Sequence, residues 1–384
     1  MQARKNVKSL FTILFSAVLC IAVFLSQTAS ASASGYSFTI EVEGKSYHLN
    51  GEEIGIYKGN RYIKCLEGVV DGIFYDTATF CKDASLTFTP NEIEPFKFSS
   101  ERAGRGINKE KLIEDINSAL KRGENFARAS FIELFPSVTV EDLKKYTYKM
   151  AEFSTYYGSS GNSRKHNIKL AVSKINGTVL KCGEEFSFNE TVGNRTEDNG
   201  FLSATVIENG EFSEGVGGGV CQVSTTLYNC VLTAGLKVTK RYAHSIQPVY
   251  VEPSFDAMVS GSAFDLKFIN DTGGNVYVKA VADGNLVTFT LYGEKPSATY
   301  QRVSKTVEII PAPEVEIIED GELEVGVSEW VKFSKNGLKS EGYLKVIDAN
   351  GNVSSIKLHT DVYKTVRGQL KVGTKAVDKE EIIS

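Results

Sequence analysis

The segment GGGVCQVSTTLYNC, residues 217–230, constrains the fold of this chain more than any other stretch. Three consecutive glycines allow backbone conformations and close approaches that other residues resist. After them, apolar residues recur at i, i+4, i+7 and i+8 from Val223, and Gly235 ends the pattern, which predicts a helix over about 222–233. Cys221 is therefore expected at or just before the start of a helix that follows a glycine turn.

A cysteine at that position has a chemical interpretation. Free backbone N–H groups and the helix dipole favour a thiolate, and the N–H groups of 221–222 can also stabilise an oxyanion. Gly217, Gly218 and Gly219 would let a substrate backbone approach closely. In the alternative interpretation, Cys221 is a small buried residue and the glycines only permit tight packing.

A thiolate needs a base, and His244 is the candidate. The segment LKVTKRYAHSIQPVYV predicts a strand in which His244 shares its parity with apolar residues and so faces the core and the preceding helix. The alternative is a structural histidine bonded to a backbone carbonyl. Asp256 and Asp265 are the candidates to orient the imidazole, and we favour Asp256 because Asp265 has the opposite parity to its apolar neighbours.

Other polar residues near these three are candidates for substrate binding. Arg195 can hold a substrate carboxylate through its planar guanidinium, or pair with Glu197 or Asp198. Gln222 can donate to an oxyanion, or cap the helix. Ser224 and Thr225 lie in the first turn and are either substrate-binding residues or caps.

The amino terminus predicts export. A basic start, an apolar run over residues 10–25 and alternating Ala and Ser are typical of a signal peptide, residues 1–33, cut near Ala31 or Ala33. The alternative is an uncleaved anchor, but the run is short for a span. After cleavage we expect no stable membrane span.

Cysteine count matters in an oxidising compartment. Five cysteines follow the signal peptide, so at least one is unpaired or joined to another chain. Cys65 and Cys81 bracket an alternating segment that can fold as a hairpin and pair them. Cys182 and Cys230 are the next pair considered, which would leave Cys221 free, although sequence alone leaves the connectivity open.

Composition excludes one class of partner. The chain has 43 Lys and Arg against 47 Asp and Glu, and three of the basic residues lie in the predicted signal peptide. No basic block occurs, so nucleic acid is not an expected partner.

The chain is predicted to be a multi-domain α+β protein, since about 350 residues are too many for one small core. Residues 36–138 predict an α+β module, with a helix that Asn108 begins and Gly123 ends. Residues 139–294 contain two predicted helical stretches, TVEDLKKYTYKMAEF and SRKHNIKLAVSKING, followed by glycine-rich loops and strands. Residues 300–384 predict a small all-β domain with an Asn-Gly hairpin turn.

The motifs FSFNETVGNRTEDNGF, GVGGGVCQVSTTLYNCVLTAGL, RYAHSIQPVYVEPSFDAMV and DLKFIND together resemble a VanW-domain protein. Upstream, LTFTPNEIEPFKF resembles the peptidoglycan-binding module that often precedes such a domain. Downstream, GLKSEGYLKVIDANGNV resembles a G-five module of cell-wall proteins.

The resemblance implies a location and a partner more than a reaction. Such proteins belong to Gram-positive envelopes, so it implies a secreted or wall-associated protein that meets peptidoglycan. Cys182 stands where the family usually has proline, and Cys230 where it usually has a small residue. This joint departure supports a Cys182–Cys230 disulfide and a free Cys221.

Two functions follow as hypotheses. One is a thiol enzyme, a peptidase or an acyl transferase, on peptidoglycan stem peptides, with Cys221 as nucleophile, His244 as base and acid, and Asp256 as orienting group. The other is a non-catalytic wall protein, linked to glycopeptide tolerance, that grips a stem-peptide carboxylate at a helix N-terminus. No metal-ligand spacing occurs in the sequence, and no metal or other cofactor is expected.

Overall fold

The computed structural model describes residues 36–208 and 211–375. The predicted signal peptide, residues 1–33, and the end of the predicted all-β part, residues 376–384, lie outside the described residues. The chain forms two compact units. One contains the described residues up to Ser85 together with Phe98–Val140, and the other contains Leu86–Lys97 together with the residues from Glu141 onward.

The first unit packs two helices, α1 (Leu66–Thr77) and α2 (Lys109–Arg122), against short strands. The sequence prediction for α2 is confirmed. The Asn108 side chain accepts a hydrogen bond from the Lys111 backbone N–H, and Gly123 ends the helix in the left-handed conformation.

The strands up to residue 134 form small sheets. Strands β2, β1 and β8 form one sheet in that order, and β3 pairs with β4, β5 with β6, and β7 with β9. Their bounds are β1 Phe38–Val42, β2 Lys45–Leu49, β3 Ile54–Tyr57, β4 Asn60–Ile63, β5 Ser85–Phe88, β6 Phe96–Ser99, β7 Gly104–Ile107, β8 Phe126–Arg128 and β9 Phe131–Leu134.

The segment between Cys65 and Cys81 is not the predicted hairpin. It contains α1, and Val70 and Ile73 point into the core of the first unit. The segment forms a helix because its apolar residues have helical spacing, although their partial alternation also suggested strands. These residues are Leu66, Val69, Val70, Ile73 and Phe74.

The second unit is built on an antiparallel sheet of four strands in the order β10-β18-β17-β11. A short helix, α3 (Val140–Lys144), precedes β10, so the helical prediction for the segment that starts at Thr139 is wrong over its second half. The strands are β10 Tyr148–Tyr156, β11 Val179–Leu180, β12 Glu185–Ser187, β13 Ser203–Glu208, β14 Glu211–Val216, β15 Lys237–Lys240, β16 Lys267–Ile269, β17 Val276–Ala282 and β18 Leu286–Gly293.

Three helices accompany this sheet: α4 (Asn162–Ile175), α5 (Phe188–Val192) and α6 (Val220–Ala234). Helix α6 packs against β10 and β18, while α4 packs against β17. All residues of α6 are buried except Cys221 and Thr233, so this helix is the centre of the core rather than an amphipathic surface helix.

The remaining described residues of the second unit are strands and loops. Strands β19, β22 and β23 form one antiparallel sheet, and β20, β24 and β21 form another. The predicted Asn-Gly turn joins β22 to β23 at Asn350 and Gly351. The bounds are β19 Ala298–Ile310, β20 Glu316–Glu324, β21 Ser328–Lys332, β22 Gly337–Asp348, β23 Val353–Tyr363 and β24 Gln369–Lys375.

The fold is therefore a multi-domain arrangement of helices and mostly antiparallel sheets, which agrees with the predicted α+β class. Within residues 36–208 and 211–375, no helix is both long and apolar enough to span a membrane.

Candidate active site

The glycine turn positions the start of α6. Gly219 is the N-cap residue and has φ 104°, a conformation that residues with a side chain rarely adopt. At Gly218 a Cβ atom would lie 2.6 Å from the backbone oxygen of Thr205. The turn is therefore pressed against β13, and only glycine allows α6 to begin at this place.

Cys221 is the second residue of α6 and is partly exposed. Its side chain interacts with that of His244, and its Sγ lies 3.4 Å from the backbone oxygen of Val259. In the described part of the chain, the Cys221 backbone N–H has no protein acceptor, whereas the N–H of Gln222 donates to Gly219 O. One free backbone donor thus lies beside the sulfur.

His244 is buried and oriented by a carboxylate. Its Nδ1–H donates to Asp256 Oδ2 at 2.7 Å, and its backbone N–H donates to the same oxygen at 2.6 Å. The other ring nitrogen, Nε2, is therefore the one that faces Cys221. The imidazole is thus bonded to the carboxylate on one side and interacts with the cysteine on the other.

The strand predicted for the segment from Leu236 is formed only over Lys237–Lys240 and does not reach His244. Strand β15 ends at Lys240, and His244 lies in an irregular segment whose backbone is bonded by the Asp256 side chain rather than by a neighbouring strand. The alternation of side chains along a strand therefore does not explain why His244 points towards Cys221. The contact depends on Asp256.

Asp256 is fully buried, and its carboxylate is surrounded by donors. Besides His244, the carboxylate accepts from Arg241 Nη2 at 2.9 Å and from the Tyr363 hydroxyl at 2.6 Å. Asp265, the other candidate, instead accepts from Ser187 Oγ and the Asn189 backbone N–H.

Strand β23 contributes to this arrangement. Tyr363 is its last residue, and Asp361 binds the Arg241 guanidinium at 2.8 and 2.9 Å. Arg241 therefore bridges two buried carboxylates, and its Nε–H donates to the backbone oxygen of Asp256. The C-terminal strands help to hold the orienting acid.

These contacts set the charges of the three groups. Burial opposes ionisation of Asp256, but hydrogen bonds from His244 and the charge of Arg241 lower its pKa to about 2. Burial likewise opposes the imidazolium, but the bonds to Asp256 and Cys221 raise the pKa of His244 to about 9. Burial raises the pKa of the Cys221 thiol, yet the hydrogen bond and charge of His244 outweigh it, so the pKa lies below its usual range.

The sulfur of Cys221 faces a cavity of about 770 Å³. The glycine turn, Gln222, Arg195 and His244 line it, together with Arg164, Lys335 and Tyr250. The cavity thus contains the predicted nucleophile, base and glycines, and it is large enough for a peptide-sized ligand.

Gln222 lines the cavity, but its amide is occupied. Its Nε2 donates to Thr155 Oγ1 and to Tyr156 O, and its Oε1 accepts from Arg164 Nη2. Both amide hydrogens are used, so the predicted oxyanion donor is not available in this arrangement.

Ser224 and Thr225 do not line the cavity. Both are fully buried, and their hydroxyls hold the backbone of Ala257, to which Ser224 donates and from which Thr225 accepts. The prediction that they bind substrate is corrected, because these hydroxyls fix the chain next to Asp256.

Arg195 lines the cavity, as the sequence suggested for a substrate-binding residue. Its guanidinium donates to Asn189 Oδ1 rather than to either acidic residue considered from the sequence, Glu197 or Asp198, and it lies over the Phe188 ring.

Neither predicted disulfide is formed. All five cysteines in the described residues are free. Cys230 is enclosed in the core, where its Sγ donates to Phe289 O, while Cys182 is exposed. Cys65 and Cys81 flank α1, which replaces the hairpin that would have paired them. Within the described ranges there is also no cluster of three or more metal-ligating side chains.

Sequence reasoning missed Arg164, Arg241 and Tyr363. A signal existed for Arg164, since it precedes the buried Ile168 by one helical turn and so shares a face of α4 with the core. Tyr363 and Arg241 contact Asp256 from 107 and 15 residues away in sequence, without a local pattern.

Comparison with known proteins shows that the segment containing the site is similar to a known family. Residues 163–292 match the family model described as VanW like protein. The chain is 39% identical over 182 residues to Uncharacterized protein YoaR of Bacillus subtilis (strain 168), which covers 47% of this chain and 60% of that protein. It is 28% identical over 151 residues to Vancomycin B-type resistance protein VanW of Enterococcus faecalis (strain ATCC 700802 / V583), covering 38% of this chain and 54% of that protein.

The chain thus spans 60% and 54% of the length of these two relatives. Two solved structures are also similar to a part of it. IgA1 Protease G5 domain structure is 24% identical, covers 21% of this chain and 95% of that chain, and has a TM-score of 0.15. Crystal structure of HP0197-G5 is 29% identical, covers 19% and 97%, and has a TM-score of 0.12.

Proposed function

We propose a function from the premise that this chain is a VanW-family protein, with its VanW-like domain over residues 163–292. The protein is a cysteine-dependent enzyme of the cell envelope that cleaves or transfers peptide bonds in peptidoglycan stem peptides. One observation carries the proposal: Cys221 and His244 line the same cavity and interact through their side chains, and the His244 ring is hydrogen-bonded to the buried Asp256.

The chemistry follows from the charges of these groups. The Cys221 thiolate attacks the carbonyl carbon of an amide, and the imidazolium of His244 gives its proton to the leaving amine, which departs as a free amine. A thioester to Cys221 remains. Water or an acceptor amine then attacks this thioester while His244 takes the proton, and the thiolate leaves as the new bond forms.

Two further features support this sequence of steps. The free N–H of Cys221 lies at the start of a helix, where a developing oxyanion is stabilised by the backbone dipole. Asp256 does not touch the reacting atoms; it fixes the ring of His244 and stabilises the imidazolium.

The substrate and the location are proposed from one relative's name and from the sequence motifs. One relative is named for vancomycin resistance, and the sequence motifs resemble those of envelope proteins. We therefore take stem peptides of the wall as the substrate and the exterior of the cell as the location.

The test uses the chain from residue 36 onward and muropeptides from a Gram-positive wall, with products read by mass spectrometry. We expect new cleaved or cross-linked peptides from the wild type and none from Cys221→Ser. Cys182→Ser, which removes an exposed thiol, is the matched control and retains activity.

Equal product formation by Cys221→Ser would contradict the proposal. Binding of muropeptides by both proteins without any product would also contradict it, and would favour the non-catalytic wall protein.

A further inference from the structure

Two arginines beside Cys221 form no ion pair with any carboxylate that the structure describes. Arg164 and Arg195 both line the cavity, both are partly buried, and both interact electrostatically with the Cys221 sulfur. Arg164 donates to Ser160 Oγ and Gln222 Oε1, and Arg195 donates to Asn189 Oδ1. Among the residues that the structure describes, neither forms an ion pair with a carboxylate.

The other buried arginines of this unit behave differently. Arg241 binds the carboxylates of Asp256 and Asp361, and Arg302 binds Glu252 at 3.2 Å. A desolvated guanidinium without a counter-charge costs free energy, so such a group is usually paired. The two arginines of the cavity are the exception in this unit.

The other described residues that line the cavity also add positive charge and no negative charge. Lys335 is a third cation there, with its Nζ bonded to the backbone oxygen of Gln247, and none of the described lining residues is an aspartate or glutamate. Asp265 is the acidic residue that acts on Arg195, but its oxygens accept from Ser187 and Asn189. The cavity therefore presents a positive potential around the sulfur.

The hydrogen-bonding capacity of the two arginines remains largely free. A guanidinium has five N–H donors, of which Arg164 uses two and Arg195 one in these contacts. A planar fork with spare donors matches a carboxylate, which it binds through two parallel hydrogen bonds.

We propose that the cavity takes a substrate with a free carboxylate close to the carbonyl that Cys221 attacks, and that Arg164 and Arg195 bind this carboxylate. The attack on a carbonyl rests on the proposed function, whereas the preference for an anion does not. The substrate class is a peptide with either an acidic side chain or a C-terminal carboxylate next to the reacting bond.

The preference can be measured without any peptide substrate. Iodoacetate and iodoacetamide alkylate the same sulfur and differ in the negative charge of the carboxylate. Peptide mapping measures the rate of each reagent at Cys221. The ratio of the iodoacetate rate to the iodoacetamide rate is then compared with the same ratio for a small thiol. We expect the ratio of iodoacetate to iodoacetamide to exceed that of the small thiol by about tenfold or more, because opposite charges at short distance attract strongly in a partly buried site.

Variants assign the effect to the two arginines. Arg195→Gln and Arg164→Gln are each expected to lower the ratio several-fold, while Arg195→Lys, which keeps the charge, retains part of it. Arg367→Gln removes an exposed arginine of the same unit and leaves the ratio unchanged. Thermal melting shows whether each variant is folded. If a glutamine variant does not fold, Arg195→Lys still tests the proposal.

The outcomes separate this inference from the proposed function. A ratio equal to that of the small thiol, or one that neither arginine variant changes, overturns the inference even if muropeptides are turned over. A high ratio that falls in the arginine variants supports it even if no peptide is cleaved. Peptides with the C-terminal carboxylate or the acidic side chain amidated then decide which carboxylate is bound.

Discussion

Asp256 is the residue on which the geometry of the site depends. It accepts from the ring and the backbone of His244, and it is itself held by Arg241 and Tyr363. Its carboxylate stabilises the imidazolium, so the charge of His244 depends on an acid that never reaches the cavity.

Replacement of this acid should change the titration of His244. In Asp256→Asn we expect the pKa of His244 to fall from about 9 to near or below its usual 6.5, because the main group that stabilises the imidazolium is gone. NMR titration of the imidazole protons measures this. Asp265→Asn removes another buried acid, and a similar fall there would contradict the role assigned to Asp256.

Among the elements, helix α6 and the glycine turn before it explain most of the site. The turn lets α6 start against β13, and the start of α6 carries Cys221 to the cavity. Three polar residues of this buried helix, Ser224, Thr225 and Asn229, are bonded to the 254–258 segment. One helix therefore aligns both the nucleophile and the acid-bearing segment.

The glycine turn can be tested by one methyl group. In Gly218→Ala the Cβ would lie 2.6 Å from Thr205 O, so the backbone must shift, and we expect a loss of about 1–3 kcal/mol in the free energy of unfolding. Gly161→Ala makes the same substitution where no atom lies within 4 Å, and should cost less than about 1 kcal/mol. Urea denaturation compares the two, and equal losses would show that the close approach is not important.

At the scale of the whole molecule, strands predicted to form a separate domain share a unit with the site. Tyr363 and Asp361 on β23 contact the Arg241–Asp256 pair, although they are far from it in sequence. The C-terminal strands are therefore part of the support of the candidate site.

The hydroxyl of Tyr363 should be important for both stability and reactivity. Tyr363→Phe removes a buried donor to a carboxylate, and we expect a loss of about 1.5–3 kcal/mol together with slower alkylation of Cys221. Tyr343→Phe removes a partly exposed donor to Glu341 on the neighbouring strand β22 and should cost less than about 1 kcal/mol without affecting alkylation. Equal effects of the two variants would contradict the link between β23 and the site.

The free energy of unfolding at low pH should depend on Asp256. Its folded pKa of about 2 lies below its usual 3.8, so its contribution is present above pH 3.8 and is lost as the pH falls through 2. This corresponds to about 2 kcal/mol. Urea denaturation at pH 6 and pH 3 should show a larger drop for the wild type than for Asp256→Asn, and parallel drops would contradict the assignment.

Some of this structure was predictable from local signals. The Asn108 cap, the Gly123 end and the apolar period after Cys221 gave α2 and α6 correctly, because each signal acts within one or two turns of helix. The resemblance to the VanW family is also confirmed.

Other features depend on contacts that no local pattern encodes. His244 reaches Cys221 through an irregular segment fixed by Asp256, not through the predicted strand. The disulfide predictions are wrong because a disulfide needs two cysteines close together in space, and no local pattern encodes the distance between the exposed Cys182 and the enclosed Cys230.

The central claim is that Cys221 is held as a thiolate by His244. Its most direct test is the rate of Cys221 alkylation by iodoacetamide between pH 5 and pH 10, followed by peptide mapping for the wild type and His244→Ala. We expect a midpoint below the ordinary cysteine pKa of 9.0 in the wild type and a higher midpoint in His244→Ala. A wild-type midpoint at or above 9.0, or one that His244→Ala leaves in place, would contradict it.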